Sequence, residues 1–60
     1  MENLIEELET AHVRLNEIRE LKMKAIDRQN FYSAAEFRDQ ERKCLETIDI
    51  LEKKISKNNI

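Results

Sequence analysis

Apolar residues recur along the first half of the chain at alternating steps of four and three. Leu4, Leu8, Ala11, Leu15, Ile18 and Ala25 keep the interval, and Lys22 stands where one apolar residue is missing. Heptad spacing of this kind lines one face of a helix with a narrow seam. It predicts a first helix over about residues 2–28. The second half repeats the rhythm with Ala34, Phe37, Cys44, Ile48, Leu51 and Ile55, and Glu41 fills the gap there. A second helix over about residues 31–57 follows.

The two seams are related. Leu4 matches Ile55, Leu8 matches Leu51, Ala11 matches Ile48, and Leu15 matches Cys44. Ile18 then meets Glu41, Lys22 meets Phe37 and Ala25 meets Ala34, every pair of residue numbers having the same sum. A constant sum is the mark of two antiparallel strands of one hairpin. The expected fold class is therefore all-α: an antiparallel, coiled-coil-like two-helix hairpin forming a single domain over residues 1–60. The bend falls at about residues 29–30, a tight connection. Asn30 is the N-cap candidate, because its side chain can accept from the free backbone N–H groups of the next turn.

Composition narrows the picture further. The chain has no glycine and no proline, the residues that supply most of the backbone angles of tight sheet turns. Charged residues make up 40% of it, which leaves a stripe rather than a broad core. A domain this small usually needs a disulfide, a metal or a partner. Cys44 is the one cysteine and His12 the one histidine, so a partner is the remaining route. Ile5, Val13, Leu21, Met23, Ile26, Leu45 and Ile50 lie off the seam, too many for one hairpin to cover. Two copies are expected to join as a two-fold four-helix bundle.

Charge is arranged to suit the hairpin. Glu2, Glu6, Glu7 and Glu9 crowd the start of the first helix, beside Lys53, Lys54 and Lys57 at the end of the second. Each set also complements its own helix dipole. Glu20 with Lys24, Asp39 with Lys43 and Asp49 with Lys53 have intrahelical pairing distance. The terminal SKNNI has no periodicity and is expected to fray. Lys22 and Glu41 are expected to reach past the seam to water. The alternative is a register-fixing polar layer in which they pair directly or through Arg38.

All three aromatic residues, Phe31, Tyr32 and Phe37, fall within the stretch NFYSAAEFRDQERKCL. The wider segment KMKAIDRQNFYSAAEFRDQERKCLE resembles the UVR motif, the short helical hairpin of UvrB, UvrC and the middle domain of ClpC. Lys22, Ala25, Phe31, Ala34, Ala35, Arg38, Asp39 and Leu45 carry the likeness, and LNEIREL with Glu41 leans toward the ClpC version. Tyr32 departs from the usual acidic residue and should face solvent at the tip.

The resemblance gives each of these residues an expected place. Ala34 and Ala35, with Phe37, should let the helices approach closely beside the bend. Phe31 should fold back over the end of the first helix. Arg38 and Asp39 should offer a forked donor and a carboxylate to a second copy or another protein. The implied function is non-catalytic protein–protein interaction, with Tyr32, Phe31, Arg38 and Asp39 as contact residues. The implied partner is a Clp ATPase, its adaptor or a Uvr protein, in addition to the second copy expected from the uncovered apolar residues.

Two other function classes remain as alternatives. A nucleic-acid-binding hairpin is disfavoured by a net charge of −2 and by the lack of a clustered basic face. A metal-binding bundle could use Glu9 and His12 at the helical spacing of di-iron proteins, but one such pair per chain falls short of the usual set. Cys44 is expected as a small core residue. No cofactor is expected. The acidic N-terminus and the lack of a long apolar run point to a cytoplasmic protein free of the membrane.

Overall fold

The computed structural model describes residues 3–58. Two helices pack along each other: α1, Leu4–Asp27, and α2, Phe31–Asn58. They form a rod measuring 47 × 16 × 14 Å. The helix length comes from composition, since neither segment contains a residue that would break it. α1 opens on Asn3, whose side-chain Oδ1 accepts from the N–H groups of Ile5 and Glu6 at 3.1 and 3.3 Å. Glu6 and Glu7 add negative charge at that positive end.

Residues 28–30 reverse the chain. The Gln29 N–H donates to the Ile26 carbonyl at 2.9 Å, and the Asn30 N–H reaches back to the Ala25 carbonyl at 2.8 Å. These two bonds make a Schellman closure of α1. It requires Gln29 to take a φ of 60°. A side chain there crowds the backbone and costs about 1–2 kcal/mol, which glycine would avoid. Asn30 also opens α2. Its carbonyl accepts from the Ala34 N–H at 3.1 Å, and its Oδ1 accepts from the Ser33 N–H at 3.2 Å.

Every position of the two expected seams is buried or half-buried. Leu15, Ile18, Cys44 and Ile48 form the central cluster, with Leu8, Ala11 and Phe37 packed against it. The Cys44 thiol donates to the Ala11 carbonyl across the hairpin at 3.2 Å, so this cysteine is a core residue with its one donor placed. Ala25 and Ala34 are buried where the helices converge at the bend.

Several expectations need correction. Ala35 is exposed, because it lies one residue, hence about 100° of helix rotation, from the buried Ala34. Phe31 does not cover the end of α1 and is 66% exposed. Ser56 and Lys57, expected to fray, continue α2, which ends at Asn58. Asn59 and Ile60 lie outside the described residues, as does Glu2. Asp49 pairs with Lys53 as the spacing suggests, but Asp39 meets Arg42 in place of Lys43. Glu20 and Lys24 form no ion pair.

Two substitutions check this geometry. Ala34→Leu should cost about 1–3 kcal/mol by overpacking the convergence of the helices. Ala35→Leu should leave the melting of the dilute hairpin nearly unchanged, and equal losses in a thermal melt would place the close-packed face elsewhere. Gln29→Gly should raise stability by about 1 kcal/mol by relieving the left-handed turn, less the extra freedom glycine has when unfolded. A lowered melting temperature would contradict the turn.

Candidate protein-interaction site

The region next to the bend is built around Glu41, on the half-buried seam of α2. Its Oε1 accepts from Lys22 Nζ at 2.8 Å, and its Oε2 accepts from Arg19 Nε at 2.9 Å. The Glu41 side chain is only 14% exposed, so both oxygens need donors from the protein. Lys22 and Glu41 therefore do not simply reach to water. They pair directly, and the added partner is Arg19 rather than Arg38. Arg19 lies off the seam on α1, beyond the reach of a pattern that records only apolar positions. The Lys22 hydrogen bond, followed by that from Arg19, holds the Glu41 carboxyl below its ordinary pKa of 4.5 against the opposing effect of burial.

Further toward the bend, Phe31 and Tyr32 occupy the first turn of α2 and project into solvent, Tyr32 at 78% exposed. Phe37, the third aromatic residue, turns inward against the central cluster. The expected contact residues thus divide. Phe31 and Tyr32 form an aromatic tip, while Arg38 and Asp39 lie about two turns along α2, both exposed. Being consecutive, Arg38 and Asp39 point in different directions. Asp39 approaches Arg42 at 3.5 Å on the open surface. Such a pair contributes little.

On one flank the helices leave an open groove of about 960 Å³. Glu7, Arg14, Gln40, Lys43 and Thr47 border it, and Ala11, Cys44 and Leu51 lie at its base. The Cys44 thiol is occupied by the Ala11 carbonyl. Among the described residues no cluster of three or more histidine, cysteine or carboxylate side chains is placed to hold a metal ion. No helix among them is long and apolar enough to cross a membrane. The Asn3 cap was missed from the sequence. Its signal was present, an asparagine just ahead of the first seam residue with acids in the following turn.

Glu41 supplies a pH test. A carboxylate held below its unfolded pKa stabilises the fold fully above that unfolded value, and the contribution disappears as pH falls through the folded value. The melting temperature should therefore drop as the solution is acidified below about pH 4.5. Glu41→Gln should be less stable at neutral pH and should flatten this acid limb. Parallel acid limbs for the two proteins would show that Glu41 does not carry the dependence.

Comparison with known proteins follows the same residues. No curated protein and no solved structure matches the chain. A family profile does, that of the UvrB/uvrC motif, over residues 13–44, more than half of the chain. The match runs from the middle of α1 through the bend to Cys44, so it contains Arg19, Lys22 and Glu41 together with both capping residues of the turn. It starts well before the segment that first suggests the likeness and stops one residue short of Leu45. The chain belongs to the UVR family of UvrB/UvrC-type helical motifs.

Proposed function

We propose that the chain is a non-catalytic protein–protein interaction module, an adaptor or regulatory piece that meets another protein with the bend end of its hairpin. The observation that carries this reading is the pair of aromatic side chains at consecutive positions of the first turn of α2, Phe31 and Tyr32, both largely in solvent. Neither is needed to fill the core, which is complete without them. Aromatic side chains bring a large contact area with few rotatable bonds, and they dominate the energetic centres of interfaces. The rigid Schellman turn behind them holds the tip in place before any partner arrives, which lowers the ordering cost of binding.

Family membership supports a Uvr protein of excision repair as partner, and the likeness of LNEIREL and Glu41 to the ClpC version of the motif favours a Clp ATPase or its adaptor as the other candidate. The seven apolar residues off the seam are all exposed, and they support a homodimer that joins two hairpins as a four-helix bundle. In this division Tyr32 serves the foreign partner, while Arg38 and Asp39 serve the assembly of the chain with itself. Cytoplasmic placement fits both roles.

Tyr32→Ala tests the first role. It should leave helicity and melting intact while weakening capture of the partner by about 2 kcal/mol, roughly thirtyfold in affinity. The measurement is a pull-down with the immobilised chain, its prey identified by mass spectrometry and then titrated. Equal binding by the variant and the parent would remove the tip from the functional account.

A further inference from the structure

Shifting each buried position of α2 by one residue gives a second stripe, rotated about 100° from the core. It contains Ala35, Arg38, Arg42, Leu45, Asp49, Glu52 and Ser56, and all of them are exposed. The order along this stripe is not mixed. Two arginines occupy its first half, a leucine 43% exposed stands at the centre, and two acids occupy its second half. Leu45 is also the middle of α2, which runs Phe31–Asn58. The opposite flank of the helix has an acid and a base, Glu36 and Lys43, together in its first half and only Lys54 charged in its second.

Within its own helix this arrangement is unfavourable. Arg38 and Arg42 are one turn apart, as are Asp49 and Glu52, and like charges at those spacings repel. The intrahelical partners available are weak. Arg42 approaches Asp39 at 3.5 Å, and Lys53 reaches Asp49 at 3.1 Å, in both cases on the exposed surface. Among the described residues Arg38 and Glu52 have no ion-pair partner.

We propose that this stripe is a docking surface for a second copy of the chain, with the two α2 helices antiparallel and related by a two-fold axis at Leu45. Arg38 and Glu52 are equidistant from Leu45, and Arg42 and Asp49 nearly so. The symmetry operation therefore sets each arginine of one copy against an acid of the other, and each such pair occurs twice. Leu45 meets Leu45 of the second copy on the axis. Ala35 falls opposite Ser56, and these small side chains allow the helices to approach at both ends of the contact. The α2 helices overlap along their full length because the axis passes through the helix midpoint. A parallel arrangement would instead set arginine against arginine. Opposed charges of this kind fix orientation and register more than raw affinity.

The inference rests on the reading of the chain as an interaction module that also pairs with itself, and gives that self-pairing a face and an orientation, separate from Tyr32. Sedimentation of the purified full chain alone tests it, whereas capture of a foreign protein tests the tip. The parent should self-associate, more weakly as salt rises from about 0.05 to about 0.5 M. Arg38→Glu with Arg42→Glu makes the stripe wholly acidic, and Asp49→Arg with Glu52→Arg makes it wholly basic. Each double variant alone should lose at least about tenfold in self-association, and their equimolar mixture should recover a heterodimer of near-parental affinity. Circular dichroism checks that the helices persist. If a double variant loses them, Arg38→Glu mixed with Glu52→Arg poses the same question with less disturbance. A parent that remains monomeric at the highest concentration, variants that associate like the parent, or a mixture that stays monomeric would each overturn the proposal. Tyr32→Ala should sediment like the parent, and a change there would make the tip part of the self-contact and overturn the separation of the two faces.

Discussion

The fold depends on one residue that ends one helix and begins the next. Asn30 donates its N–H to Ala25, receives the N–H of Ala34 on its carbonyl, and receives that of Ser33 on its side chain. Buried or strained helix ends must satisfy their backbone groups locally, and here three of those obligations converge on a single asparagine. Once the turn is fixed, α2 can leave in only one direction and at one rotation. That rotation turns Ala34 toward Ala25 and sets the register of every pair farther along the rod. A shift of one residue at the turn would carry the apolar seam of α2 about 100° away from that of α1.

The Glu41 cluster reinforces the same register by a different means. An apolar layer tolerates slippage, since one methyl packs nearly as well as another. A carboxylate bridged by Lys22 and Arg19 does not, because displacement by a turn leaves a half-buried charge without its donors. Placing this layer near the bend puts the most specific contact where the chain is shortest between helices, and the softer cluster of Leu15, Ile18, Cys44 and Ile48 occupies the middle of the rod. Buried polar groups that select alignment at some expense of stability are familiar in coiled coils.

How much of this was legible from residues alone depends on which signal is read. The period of the apolar residues identified every buried position, because heptad spacing and burial are the same geometric fact on a long helix. The errors arose where motif likeness was read in place of period. Two adjacent alanines look like one close-packed element, yet consecutive residues of a helix cannot share a face, and only Ala34 is on the seam. Phe31 is likewise one step off the seam, and its size suggested a plug that the rotation of α2 forbids. The left-handed turn at Gln29 carried no signal, since the usual marker is a glycine and the chain has none. Arg19 was invisible for another reason: apolar periodicity places Lys22 and Glu41 but does not say which polar neighbour completes the carboxylate.

α2 is a helix with different chemistry on each of its faces, and the spacing that creates the core also creates the other faces. A long helix with a strict seam must have parallel stripes beside it, each with the same steps of four and three. What distinguishes them is which residues fill those steps. The seam takes the apolar side chains, the adjoining stripe takes charges segregated about Leu45, and the first turn takes the aromatic pair ahead of both. Because the seam and the charged stripe occupy different rotations of one rigid element, with Phe31 continuing the stripe and Tyr32 lying off it, a change at Tyr32 need not disturb either beyond local helix propensity. The short turn makes this separation possible, for a flexible bend would let α2 rotate and mix its faces. A 60-residue chain can in this way fold on one stripe and keep the other faces of its helices exposed.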